Sequence, residues 1–359
     1  MSGSHSHRTR IPPVGVAAVL CAAALTVAGC SSSGSGAAAT DSARDAAAAA
    51  SSAEGLQTAY QNAVKKVLPS VVQITTDQDL GSGVVYDTEG DIVTNAHVIG
   101  DATSFQVQLA TGGRPLAAKL VSSFPPNDLA VIRLNDPPSG LKPAVFADSG
   151  KAAVGQIVLA MGNPLGLSSS VTQGIVSATG RTVSESKTDG GTGATIPDMI
   201  QTSAAINPGN SGGALVGLDD KVIGIPTLAA TDPQLGSGAA PGIGFAIPSA
   251  TVKRIADQIV ENGTVTDSGR AALGVTVRGV VDDTFQPAGA AIVEVDPGGA
   301  AAGAGLRPGD VITKVGDAPI TTVQSLTEAL ADDKPGQKVK VTYDRDGATK
   351  TVEVTLGSL

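Results

Sequence analysis

The sequence predicts an all-β domain, either a sandwich or a pair of barrels, followed by a smaller α+β module. Three observations predict it. From Ser70 to about Ile247 the apolar residues come in short β-branched runs broken by turns. The 45 glycines and 21 prolines among 359 residues supply those turns. Aromatic residues are scarce, with no Trp, three Tyr and five Phe, so the core must be built from Val, Ile, Leu and Ala. A chain of this length accommodates two or three domains.

Taken in order, the first 29 residues read as a targeting segment rather than as part of the fold. Arg8 and Arg10 precede an apolar run from Val14 to Ala28, which is too short to span a bilayer comfortably. Residues 30–55, rich in Ser, Gly, Ala and Thr, predict a flexible tether in which Ala46 to Ala50 can be helical. Leu56, Tyr60, Val64, Val67 and Leu68 then fit a short amphipathic helix ending before Pro69.

Strands are expected at 71–74, 83–86, 91–94, 129–132, 157–160 and 221–225. A helix at 249–262, with Val252, Ile255, Ala256, Ile259 and Val260 on one face and Gly263 as its stop, closes a domain spanning 56–263. The polar stretch 264–270 is a linker. Residues 271–359 form the second module, with strands and a helix near Thr322 to Ala331.

The formal charge is −9, and without the first 29 residues it is −11, from 22 basic and 33 acidic side chains. Such a chain has no electrostatic attraction to nucleic acid or to an anionic membrane surface. Cys21 lies in the targeting segment and Cys30 at its end, so the folded part has no thiol. That excludes disulfides, a cysteine nucleophile and cysteine-based metal sites.

Three residues carry chemistry. His97, the only histidine beyond His5 and His7, ends the run Ile92-Val93-Thr94-Asn95-Ala96-His97. Asp128 opens the apolar run Leu129 to Ile132, and Ser211 sits in Asn207-Pro208-Gly209-Asn210-Ser211-Gly212-Gly213. Singly, these are a structural histidine, a turn residue and a glycine-rich loop. Together they follow the order His, Asp, Ser of one known catalytic triad. A serine hydroxyl needs a neutral imidazole to accept its proton as it attacks a carbonyl, and a carboxylate behind the imidazole fixes the tautomer. The N–H groups of Gly209 and Ser211 are candidates for the oxyanion hole. These groups fill every catalytic role, so neither metal nor organic cofactor is expected.

The segments Gln201 to Leu215, Met161 to Leu167 and Val171 to Ser177 resemble those of the HtrA serine proteases, over residues 60 to the C-terminus. That resemblance implies an all-β chymotrypsin-like protease domain of two perpendicular six-stranded β-barrels with the active site between them. It also implies an apolar specificity pocket lined by Ile206 and Ile225, and reversible ordering of the loops at 165–171, 181–196 and 228–241. Asn210 stands where digestive relatives have an Asp that pairs with a newly cleaved N-terminus, so activation by such a cut is not expected. Two residues depart from the family pattern: Ser203 replaces Asp, and Pro226 replaces Asn and removes an N–H from the substrate-binding strand.

Ala272-Leu273-Gly274-Val275 and the run Ala291 to Ile312 resemble a PDZ domain of the bacterial protease type. Leu273, Gly274 and Val275 would then form the carboxylate loop for a peptide C-terminus. Leu326 and Leu330 either line its side-chain pocket or belong to the core. The run Leu25 to Cys30, followed by Ser31-Ser32-Ser33-Gly34, resembles a bacterial lipobox, which implies cleavage before Cys30, lipidation of its thiol and attachment to the outer face of the membrane. The whole resemblance implies an ATP-independent endopeptidase of envelope protein quality control and stress response. It would be a homotrimer that acts on unfolded or misassembled polypeptides and binds C-terminal peptides. The alternatives are a chaperone or peptide sensor on a protease scaffold, and a PDZ scaffold alone.

Overall fold

The computed structural model describes residues 36–77, 79–164, 170–185, 192–207, 209–232 and 238–359, and of 36–50 and 228–241 the backbone alone. The targeting segment and Cys30 lie outside the described residues. Residues 55–359 form one compact unit, and the chain before Gly55 is a unit of its own. Among the described residues no helix is long and apolar enough to cross a membrane.

The first element corrects an expectation. Instead of a flexible tether and a short helix, α1 runs unbroken over Gly36–Val67. The alanine runs explain it: Ala loses the least on entering a helix, and a 32-residue stretch dilutes the unfavourable contribution of Gly55. Ala63 and Val67 near its end are buried.

Twelve strands then close two barrels. The first comprises β1 (Val71–Thr75), β2 (Leu80–Val85), β3 (Asp91–Thr94), β4 (Ser104–Leu109), β5 (Leu116–Phe124) and β6 (Leu129–Leu134), in the order β1-β2-β3-β6-β5-β4. The second comprises β7 (Ile157–Gly162), β8 (Ser170–Ser184), β9 (Thr195–Thr202), β10 (Ala214–Gly217), β11 (Val222–Asp232) and β12 (Gly238–Pro248), in the order β10-β11-β12-β9-β8-β7. Closure leaves neither sheet with an unpaired edge.

Strand periodicity decides which residues lie inside. In the first barrel Val72, Ile74, Val85, Ile92 and Ile132 fill the interior, while Val71, Val84, Val93 and Val131 point outward. Those outward residues meet Leu159, Met161, Val216 and Ile247 of the second barrel. The same cluster takes the apolar face of α3 (Ser249–Asn262), with Val252, Ile255, Ala256 and Ile259 buried and Val260 partly so. Helix α3 ends as expected at Gly263, whose left-handed backbone (φ 73°) donates to the Ile259 carbonyl. The side chains that join the barrels therefore also frame the cleft between them.

The second module has its own core. A two-stranded sheet pairs β13 (Ala271–Ala272) with β20 (Gly357–Ser358). A larger sheet orders β14 (Val275–Val281), β15 (Pro287–Val295), β16 (Val311–Val315), β18 (Lys338–Arg345) and β19 (Ala348–Thr355), with β17 (Ala318–Pro319) on β16. Against them pack a helical turn, α4 (Ala300–Gly303), and α5 (Val323–Ala331). Thr322 and Ser325 cap α5 reciprocally, each side chain bonding the other's backbone N–H. Asp310 in the Gly-Leu-Arg-Pro-Gly-Asp turn is almost fully buried and takes two bonds from Arg345 (2.6 and 2.7 Å) and one from Arg307 N (2.8 Å), so this turn is architectural.

The linker 264–270 is held at several points. Gln258 of α3 accepts from the N–H groups of Thr266 and Asp267 (2.9 Å each). Arg270, 9% exposed, donates to the carbonyls of Pro126 and Thr195, the latter at 2.7 Å.

Replacing Ile255 by Ala should leave a cavity where both barrels and α3 meet. We expect a loss of about 2–5 kcal/mol, measured as a lowered denaturation midpoint in guanidinium chloride.

Candidate active site

The carboxylate of Asp128 has no exposed surface. Pro125 and Pro126 start a 3₁₀ turn that places Asp128 in the left-handed region (φ 49°), with its N–H on the Pro125 carbonyl (2.9 Å). The side chain then reaches the helical turn α2 (Ala96–Ile99) that comes after β3. Oδ1 accepts from His97 N (2.9 Å), and Oδ2 lies 2.8 Å from His97 Nδ1. Oδ2 also accepts a bond from the Thr227 hydroxyl. Asn95, two residues before His97, donates from Nδ2 to the Asp128 carbonyl at 2.9 Å. The imidazole is thus fixed with its Nε2 edge directed away from the carboxylate.

The loop around Ser211 is braced by the first barrel through one buried side chain, Ser82. Its hydroxyl donates to the Gly209 carbonyl (2.5 Å) and accepts from Asn163 N (2.8 Å), while its N–H donates to the Ser211 carbonyl (3.0 Å). Gly212 (φ 78°) is a position here where glycine is required. A Cβ there would run into the Ser82 carbonyl and the Thr94 hydroxyl. Asn210 folds back under the loop, accepting from Asn207 N (3.0 Å) and donating to the Ala205 carbonyl (3.1 Å). Among the described residues neither Gly209 N nor Ser211 N has an acceptor, as a site for a developing oxyanion requires. The Ser211 hydroxyl donates to the Thr227 carbonyl (3.0 Å).

The structure therefore brings His97, Asp128 and Ser211 together around Thr227, which bonds the serine with its carbonyl and the aspartate with its hydroxyl. Sequence reasoning missed both Thr227 and Ser82. Each is a small hydroxylated residue in an apolar strand, and such residues give no signal until a partner from another barrel is known. Burial of the imidazole works to lower its pKa, but the Asp128 hydrogen bond and the charges of Asp128 and Glu185 outweigh that and raise it. Among the described residues no cluster of three His, Cys, Asp or Glu side chains is arranged to hold a metal ion.

Residues 81–225 match the trypsin-like peptidase domain and residues 271–356 the PDZ domain. The chain is 42% identical over 314 residues to serine protease PepD of Mycobacterium tuberculosis, covering 83% of this chain and 66% of PepD. It is 40% identical over 293 residues to the Do-like serine protease HtrA of Lactococcus lactis, covering 77% of this chain and 70% of that protein. The chain belongs to the HtrA family of serine proteases. Among solved structures, the HtrA-type protease AlgW with decapeptide matches with a TM-score of 0.57 at 32% identity, over 84% of this chain and 98% of that one. The serine endoprotease from Yersinia pestis matches with a TM-score of 0.55 at 34% identity, over the same shares. The chain spans 52% of the length of the DegP-like endoprotease of Brucella suis.

Within this HtrA frame the expected specificity pocket needs a correction. Ile206 is buried with Ala204, Ile223 and Ala246 inside the second barrel, but Ile225 is fully buried in the other cluster, between the barrels. A bulge in β11 is the cause: Leu215 pairs with Gly224 and Val216 with Val222, leaving one extra residue that reverses the facing of the strand beyond it. Strict alternation from Ile223 would have put Ile225 beside Ile206. Pro226, despite lacking an N–H, stays in β11 opposite Ala246, at a second register shift, and its carbonyl accepts from Gly212 N (3.0 Å). The Ser203 hydroxyl accepts from Ile175 N (3.0 Å). Residues 165–169, 186–191 and 233–237 of the three expected loops lie outside the described residues.

In the PDZ domain, Leu273, Gly274, Val275, Leu326 and Leu330 line a groove of about 290 Å³. Strand β14 is the edge of its sheet, and among the described residues the N–H groups of Leu273 and Gly274 have no acceptor. Leu273 and Leu326 are core residues as well as wall residues, while Leu330 is half-buried.

Thr227→Val keeps the shape of β11 and withdraws a donor from a buried carboxylate. A loss of roughly 1–3 kcal/mol in stability is expected, read from the midpoints of thermal melts of the two proteins in the same buffer.

Proposed function

We propose that this HtrA protein is an ATP-independent serine endopeptidase that cleaves unfolded or misassembled polypeptides outside the cytoplasm. The observation that carries the reading is the 2.8 Å contact between His97 Nδ1 and the buried Asp128, in a site that also holds Ser211. With Asp128 holding the proton on Nδ1, Nε2 is free to accept the proton of Ser211 as its Oγ attacks a substrate carbonyl. The N–H groups of Gly209 and Ser211 stabilise the resulting oxyanion, and the imidazolium then protonates the leaving amine. Water repeats the sequence on the acyl-enzyme. Amide hydrolysis is downhill, so no nucleotide is consumed.

The PDZ groove, open along β14 and ending in the Leu273 and Gly274 amides, suits a peptide added as a strand with its C-terminal carboxylate on those amides. Relatives described as periplasmic, including DegQ of Escherichia coli, support an extracytoplasmic location. Lipidation at Cys30 would tether the protein to the outer face of the membrane, and a homotrimer is the assembly that the family resemblance implies. Such a protein would serve envelope quality control under stress.

A latent resting state is favoured by one observation: the Ser211 hydroxyl points to the Thr227 carbonyl, so it must rotate before it can pass its proton to His97. A chaperone or peptide-sensing role would use the same state.

Ser211→Ala should lower hydrolysis of an unfolded casein-like substrate by at least about 10³-fold and abolish fluorophosphonate labelling. Undiminished cleavage and labelling in that variant would overturn the enzyme reading. Because the base must be neutral and its pKa is raised above 6.5, activity should fall as pH is lowered, with the acid limb centred above 6.5. For the PDZ groove, a peptide with an apolar C-terminal residue should bind about tenfold or more tightly as the free acid than as the amide, measured by fluorescence polarisation.

A further inference from the structure

Behind the catalytic aspartate lies a second buried carboxyl group that the triad chemistry does not use. Glu185 comes directly after β8 and is 8% exposed. Its N–H donates to the Ala194 carbonyl (2.8 Å), and Oε2 accepts from both the N–H (2.8 Å) and the hydroxyl (2.5 Å) of Thr192. Oε1 faces Thr227 Oγ1 at 3.5 Å. A threonine hydroxyl has a single hydrogen, and here it is engaged by Asp128 Oδ2. A bond between Glu185 and Thr227 therefore forms only when Glu185 itself carries the proton.

We propose that Glu185 is a positioning residue: protonated, it donates from Oε1 to Thr227 Oγ1 and completes the chain Glu185–Thr227–Asp128–His97; ionised, it sets a second negative charge behind Asp128. The proposal rests on the reading of His97, Asp128 and Ser211 as the catalytic residues.

Several groups set the state of this carboxyl. The first barrel presents Asp128 and His97, and Asp79 also acts on His97. β11 presents Thr227, and the segment before β9 presents Thr192. From the linker, Arg270 holds the Thr195 carbonyl; from α5, Glu328 accepts from the neighbouring Ser184 hydroxyl (3.1 Å). Burial comes first and the charge of Asp128 second, and together they push Glu185 up to about 7 against the opposing Thr192 donors. Near neutral pH its proton and that of His97 are linked. An ionised Glu185 makes the imidazole hold its proton more tightly and so delays formation of the neutral base as pH rises.

The test is the titration of His97 in the full chain labelled with ¹³Cε1-histidine. Its resonance is told from those of His5 and His7 by its absence in His97→Asn. In Glu185→Gln, which keeps the Thr192 bonds and cannot ionise, the His97 pKa should fall by roughly half a unit or more, and the acid limb of hydrolysis should move down with it. A His97 pKa that is unchanged or raised overturns the proposal. Should the amide variant not fold, Glu185→Met is uncharged, similar in volume and open to the same comparison. Ser211→Ala in the same hydrolysis assay separates the two readings: if it abolishes cleavage while Glu185→Gln leaves the His97 pKa unmoved, the protease stands and the role of Glu185 falls.

Discussion

A carboxylate sealed from water must have its lone pairs engaged or give up its charge, and at Asp128 this requirement draws on distant parts of the chain. The turn before β6 supplies the residue, the helical turn after β3 supplies two donors, and β11 of the other barrel supplies the third. The bonds to His97 are local to the first barrel. The bond to Thr227 is not, and it forms only when the barrels are docked. Assembly of the inter-barrel cluster and satisfaction of this buried carboxylate are therefore one event.

Ser82 carries the same logic in the reverse direction. It belongs to the first barrel and bonds the loop of Ser211, which belongs to the second. Each barrel thus completes the other's contribution: Thr227 reaches across to Asp128, and Ser82 reaches across to the loop of Ser211. Two closed sheets, each satisfied in its own hydrogen bonding, are coupled at the cleft by a few buried hydroxyl groups. A hydroxyl can donate and accept at once, and it occupies little of a densely packed interface.

The parts of this molecule that are legible in the sequence are those governed by local pattern. Short β-branched runs mark the strands, the apolar face of 249–262 marks α3 to the residue, and the order and flanks of His97, Asp128 and Ser211 mark the candidate site in which the structure brings them together. The illegible parts depend on long-range register. The bulge in β11 turns Ile225 from the expected pocket into the inter-barrel core, and no property of Val222-Ile223-Gly224-Ile225 announces it. Thr227, Ser82 and Glu185 are hidden because their meaning lies in partners 42 to 127 positions away. The expected tether differs for another reason: a bias toward small residues suggests flexibility, although alanine, unlike glycine and serine, favours the helix.

The linker ends on a guanidinium that is almost fully buried and meets carbonyl oxygens rather than a carboxylate. Burial pulls its pKa down to about 10, which records how poorly the protein replaces the water the cation has lost. Such a contact specifies an orientation more than it adds stability, since the hydration regained on release offsets the bonds broken. Arg270 therefore fixes the linker against both barrels. Its two catch points are the residue two before Asp128 and the first residue of β9, so the start of the PDZ domain is tied to the same turn that carries the buried carboxylate.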